Sequence, residues 1–246
     1  MANWSDPRIG ASQPTTIAGQ EVAYDAGLRA HMLKVYNYMA SGILLTGIIS
    51  FLFASSSLAL TMVNMETGRP SLLAWAVFFG MFGLVIAIRG GINRMATSTA
   101  QILFWIYAGL MGVWISTIFL FYSEGSIALT FFATAAAFTS LSLYGYTTKR
   151  DLSAFGTFML MGVVGLLVAL VANMFWQNNT FSLVIAAVGV LVFAGLTAYD
   201  TQKIKSDYFA YSGDSLAKAA IIGALELYLD FINMFLFLLR FMGNRN

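Results

Sequence analysis

Ala219-Ala-Ile-Ile-Gly-Ala-Leu-Glu-Leu-Tyr-Leu-Asp-Phe-Ile-Asn-Met-Phe-Leu-Phe-Leu-Leu-Arg240 is an apolar stretch long enough to cross about 30 Å of hydrocarbon as a helix. It nevertheless carries Glu226, Asp230, Asn233 and Arg240. At helical pitch these four side chains fall within a stripe of about 80°, and the remaining surface is Leu, Ile, Phe and Met. Asp230 sits about halfway along. An acid at the bilayer centre costs about 2.5–3.5 kcal/mol to insert, and two on one face cost more. The cheaper arrangement turns the stripe inward, towards other helices or a water-filled cavity. This helix is therefore expected at the centre of a bundle.

The rest of the chain fits that reading. Of 246 residues, 59% are hydrophobic and 10% charged, with a mean hydropathy of +0.77. A soluble domain carries about 25% charge, so there is too little here to cover a water-facing surface. Backbone polar groups in lipid must be satisfied within the segment, so apolar runs of spanning length are helices. They fall at roughly 38–63, 72–88, 100–121, 126–145, 155–176, 181–200 and 219–240. The expected fold class is all-α: a polytopic membrane protein with seven transmembrane helices, the seventh central. Residues 1–35 read as a cytoplasmic N-terminal tail, within which Glu21 to Lys34 could form a surface helix. Residues 36–246 read as the transmembrane domain, and Thr201 to Lys218 as a charged, solvated loop between the sixth and seventh spans.

Residues 1–35 are polar and charged, so no cleavable signal is expected. Counting Lys and Arg on alternate sides gives orientation. Arg8, Arg29, Lys34, Arg89, Arg94, Lys149, Arg150, Lys203, Lys205 and Lys218 lie on the N-terminal side; Arg69, Arg240 and Arg245 lie opposite. The expected topology has the N-terminus in the cytoplasm of a multi-pass plasma membrane protein. The basic residues form no cluster of the kind that nucleic acid requires. There is no cysteine, and the one histidine, His31, falls in the tail. Disulfides, thiolate metal sites and His-based triads lack material.

Ala108, Gly112 and Ser116 repeat at intervals of four, the small-residue pattern of close helix approach. Gly42 with Thr46, and Gly162 with Gly165 and Leu166, suggest similar faces. Tyr36, Trp75, Tyr122 and Trp176 suit interfacial belts.

The sixth span ends Ala198-Tyr-Asp-Thr-Gln-Lys-Ile204. An acid in a last turn opposes the helix dipole. Asp200 is therefore either half of a surface ion pair with Lys203 or a functional carboxylate. Asp230, at mid-membrane, reads first as functional and otherwise as a hydrogen-bonding link between helices.

Tyr144-Gly-Tyr-Thr-Thr-Lys-Arg-Asp-Leu152, Ala198-Tyr-Asp-Thr-Gln-Lys-Ile204 and Leu227-Tyr-Leu-Asp-Phe-Ile-Asn233, in this order, resemble the Bax inhibitor-1 family in its bacterial YccA/YetJ-like branch. The resemblance covers about residue 30 to the C-terminus. It implies seven helices with the last surrounded by the other six. It also implies a pH-sensitive calcium leak whose sensor is an aspartate pair, matching Asp200 and Asp230. Those two would offer calcium a weak site. Arg240 matches an arginine that pairs with a glutamate on the second helix in YetJ-like members. Residues 72–88 contain no acid here. Glu226 is a second departure, adding an acid beside the pair.

Two carboxylates about 4 Å apart repel by roughly 4 kcal/mol at an effective dielectric of about 20. Such a pair titrates as one unit, in two steps. With one proton shared it holds the two helices together; without it, repulsion or a bound cation takes over. Oxygen-only ligands suit calcium, but two carboxylates leave it partly hydrated.

The expected function is thus a calcium-permeable leak gated by Asp200 and Asp230, with Glu226, Asn233 and Arg240 as a supporting stripe. Calcium is the permeant ion, there is no cofactor, and the chain is expected to be a monomer. The alternative is a membrane-embedded regulator of a membrane protease or stress response, acting by protein–protein contact. An enzyme is not expected: Ser or metal hydrolysis lacks its partners, and neither aspartate has the Gly-x-Gly-Asp setting of an intramembrane aspartyl protease. A retinal protein would need a lysine inside the seventh span.

Overall fold

The computed structural model describes residues 17–64, 67, 69–176 and 178–244, with the side chains of 17–25 and of Ser57 left aside. Arg8, Arg245 and the first part of the expected tail lie outside the described residues. Among the described residues eight α-helices follow in order: α1 (Ile17–Ser55), α2 (Leu72–Gly91), α3 (Thr97–Ile115), the single turn α4 (Ile118–Phe121), α5 (Glu124–Thr147), α6 (Ser153–Trp176), α7 (Asn179–Ala210) and α8 (Gly213–Met242). Seven are long and apolar enough to span, with α4 extending α3 in the third span. The protein is an all-α polytopic membrane protein, and the sixth and seventh spans are α7 and α8.

The first span occupies Ala26–Ser55, earlier than the apolar run at 38–63 suggests. The run is broken at Ser55-Ser-Ser57. Ser56 has extended backbone and its hydroxyl accepts from the Leu58 amide, starting a separate 3-10 segment over Ser57–Met62. A short antiparallel pair, β1 (Val63–Asn64) with β2 (Arg69–Pro70), closes this connection. At the other end the expected surface helix is the start of α1 itself. His31 is not in a tail: it is 6% exposed, on α1 beside the Tyr208 ring of α7.

The expected loop from Thr201 to Lys218 is also helical at both ends. α7 continues ten residues past Asp200, and α8 begins after Tyr211 and Ser212. The polar run Thr201-Gln-Lys-Ile-Lys stays helical because Thr201 and Ile204 are buried and the others find partners. Gly213, at φ +56°, supplies the left-handed residue that reverses the chain.

α8 is the most buried span. It packs directly on α7, α1, α5 and α3, while α6 lies chiefly against α7 and α2 against α3. The centre is as expected, but four helices rather than six form its close shell. Small residues set the approaches. A Cβ at Gly112 would lie 2.8 Å from the Thr46 carbonyl oxygen, and Thr46 Oγ1 donates to the Ala108 carbonyl at 2.8 Å. Gly42 faces Phe104, and Gly162 faces Val192. On α8, Gly223 admits Ile204, and on α7, Gly189 admits Phe237.

Candidate functional site

α7 and α8 are antiparallel neighbours, so moving one turn deeper on one means moving one turn back on the other. Their register is fixed at Gly223 against Ile204 and at Phe237 stacked on Phe193, with centroids 5.9 Å apart. Between those points Glu226 meets Lys203, and Asp230, one turn deeper, meets Asp200. Lys203 Nζ donates to Glu226 Oε1 at 2.8 Å. The Asp200 and Asp230 side chains face each other across the α7–α8 contact, close enough to interact directly. Asp230 is 3% exposed, whereas Asp200 is partly buried. The pair therefore has one deep member and one nearer the surface of the bundle.

Glu226 has a second cation. Arg89 Nη2, at the end of α2, donates to the same Oε1 at 2.9 Å. Two basic groups from different helices converge on one buried carboxylate. Its other oxygen, Oε2, and Oδ2 of Asp230 are buried without a donor among the described residues. Both acids lie close enough to Asp200 for direct electrostatic repulsion, which Lys203 and Arg89 oppose. Asp207 also acts on Lys203 and Glu226, so these carboxyls, if all ionised, would outnumber the two cations. The site thus has room for at least one proton or positive charge more than its own side chains supply.

Lys203 and Arg89 were not legible as members of this site. Of the two readings of Asp200, the surface ion pair with Lys203 does not form: Lys203 pairs with Glu226 instead. Arg89 entered only as a charge setting orientation. It is 137 positions from Glu226, and no spacing within one chain joins them. The one available signal was the excess acid on α8, which needed a partner. Asn233 does not join the cluster through its amide, which donates to the Leu229 carbonyl of its own helix at 2.8 Å. Arg240 is partly buried, ten residues beyond Asp230 and so about 15 Å further along the axis.

The residues around Asp200 fasten α7 to its neighbours. Thr201 Oγ1 shares a hydrogen bond of 2.9 Å with Ser142 Oγ of α5, which shares one of 2.6 Å with Tyr36 Oη of α1. Gln202 accepts from the Leu152 amide and donates to the Arg150 carbonyl, both at 2.8 Å, holding the turn between α5 and α6. Lys205 Nζ donates to the Tyr146 carbonyl at 2.8 Å. Gly145 lies directly on the Ala198 backbone, where no Cβ fits. The first two sequence motifs therefore meet in space and brace each other. In the turn they share, the Ser153 hydroxyl and then its amide hold the exposed Asp151 carboxyl below the usual carboxylate range. On the other side of α8, Tyr228 is fully buried, shares a hydrogen bond of 2.7 Å with Thr46 and meets Phe104 and Tyr107 edge to face.

Among the described residues, no three His, Cys or acidic side chains converge as a metal cage would require. What Asp200 and Asp230 offer a passing cation is two carboxyls, short of the six to eight oxygens of a closed calcium site.

A family model described as "Inhibitor of apoptosis-promoting Bax1" matches residues 28–246. The inner membrane protein YbhL of Escherichia coli strain K12 is 41% identical over 223 residues, covering 89% of this chain and 94% of that one. Protein RP147 of Rickettsia prowazekii is 42% identical over 238 residues, covering 96% and 99%. Membrane protein SpyM3_0260 of Streptococcus pyogenes is 32% identical over 222 residues, covering 90% and 96%.

Proposed function

The chain belongs to the Bax inhibitor-1 family, and from that premise we propose that it is a pH-sensitive calcium leak, gated by the aspartate pair on α7 and α8. The observation that carries the reading is the placement of Asp200 and Asp230 beside each other on the two most buried spans. An acid pair in such a setting exchanges a proton for a cation. With a proton shared, the two carboxyls bond and α7 stays drawn to α8. With the proton lost, the charge is met by separation or by calcium, for which carboxyl oxygens are suited ligands. Calcium is cargo here, and the weakness of a two-carboxyl site lets it leave again.

Arg89 gives the pair a connection to the periphery. α2 packs mainly on α3, and its ion pair with Glu226 ties it to the central helix. A change of charge at Asp200 or Asp230 alters the field at Glu226 and hence the hold on α2. The membrane we assign is the bacterial inner membrane, as the name of the YbhL relative suggests, with the N-terminus cytoplasmic by the distribution of Lys and Arg.

The test is flux from vesicles containing the purified chain. Calcium efflux well above that of potassium at equal driving force is the expected result. Equal leak of both ions, or none, contradicts the proposal.

A further inference from the structure

We propose that the crevice between α1 and α5 is a binding site for one anionic phospholipid, with the headgroup at Arg29 and Lys205 and an acyl chain lying inward. Two cavities, of about 730 and 600 Å³, lie along the same pair of helices. They adjoin, with Tyr36, Phe138 and Thr139 in the walls of both. α1 and α5 flank this space without packing closely on each other; Phe138 and Phe231, 5% and 4% exposed, form its floor.

Three observations identify the occupant. The crevice opens sideways between exposed apolar residues such as Leu44, Ile48 and Leu52. In a spanning bundle that side faces hydrocarbon, so what enters comes from the bilayer. Its length is also right. From Arg29 to Leu52 α1 rises about 35 Å, close to the full apolar thickness of about 30 Å. A chain entering at Arg29 and reaching one leaflet's depth, about 15 Å, ends near Ala40 and Thr139, at the junction of the two cavities.

The third observation is charge. Of the residues lining both cavities, none is acidic and Arg29 alone is charged. Lys205 reaches the lining residue Tyr146, its Nζ on the Tyr146 carbonyl and 4.9 Å from the centre of the Tyr146 ring, and Tyr146 lines the cavity with Arg29. One bond to Tyr146 leaves two of the ammonium's three donors for another acceptor. A phosphate between guanidinium and ammonium is the ligand that such a mouth fits. The hydroxyls of Tyr36 and Ser142 lie just below, and through Thr201 they connect this lipid seat to the residue beside Asp200.

The proposal stands apart from the calcium reading, and its test needs no flux. The full chain is reconstituted in vesicles of equal phosphatidylcholine and phosphatidylglycerol, extracted gently and weighed by native mass spectrometry. The expected result is one retained phosphatidylglycerol, preferred over phosphatidylcholine by about 30-fold, about five-fold for each of the two basic side chains at the membrane surface. Arg29→Gln cuts that preference about five-fold, Thr139→Trp removes the bound lipid by filling the junction, and Arg94→Gln, on the turn after α2, changes neither. Melting curves show that each variant is folded. Equal retention of both lipids by the parent chain overturns the proposal. So does a phosphatidylglycerol that survives Thr139→Trp, since it would then sit on the surface and not in the crevice.

Discussion

Lys203 of α7 reaches Glu226 of α8 with 2.8 Å between Nζ and Oε1, although Asp200 lies only three residues back on its own helix. Arg89 reaches the same oxygen from α2. Glu226 therefore holds two cations beside the aspartate pair, and neither cation is hydrogen-bonded to Asp200 or Asp230. The pair is left to settle its charge with a proton or an incoming ion.

Removing the Glu226 charge should loosen this end of the bundle. Glu226 is 4% exposed, while Arg89 and Lys203 are 51% and 38% exposed, so water screens part of the interaction. Glu226→Gln is expected to cost about 2 kcal/mol, below the full penalty of breaking a buried pair. Thermal denaturation in detergent measures it. Adding Arg89→Gln to that variant should cost less than the sum of the two single changes, because one contact has already gone. Full additivity would show that Arg89 and Glu226 do not interact in solution.

The contact of α5 with α7 predicts a contrast between two glycines. Gly145→Ala forces a methyl group into the Ala198 backbone and is expected to cost about 2 kcal/mol or more. Gly47→Ala meets nothing within 4 Å and should be neutral or gain up to about 1 kcal/mol from helix propensity. Melting temperatures of the two variants, falling for the first and level or rising for the second, check the packing directly.

Deleting residues 1–16, which precede α1, tests whether transport needs them. The aspartate pair, its cations and the α1–α3 contact all lie downstream. Calcium flux is expected to keep its rate and pH profile. A loss of flux, with the protein still folded, would give those residues a part in the ion path.

The sequence made the membrane class and the central last helix legible because both follow from how few charges there are and where they fall. The acids on α8 could be placed inward on cost alone. Asp200 was harder: a helix ending at that residue gave it a dipole conflict, and that conflict vanished once α7 was found to continue to Ala210. A polar run resembles a helix end, yet Gln202, Lys203 and Lys205 are all bonded to other elements and keep α7 helical. His31 follows the same pattern: it lies in a polar stretch that resembles a tail, where α1 is already packed on α7. The two cations on Glu226 were invisible because long-range pairing leaves no trace in the spacing of one chain.

The central claim is that the Asp200–Asp230 pair senses protons. Its most direct test is calcium flux from vesicles, followed from mildly acidic to mildly alkaline pH, for the parent chain, Asp200→Asn and Asp230→Asn. The account predicts a pH-dependent flux in the parent and a flat profile in both variants, with folding retained because Asn preserves the side chain's shape. A pH dependence that persists unchanged in Asp230→Asn would contradict it.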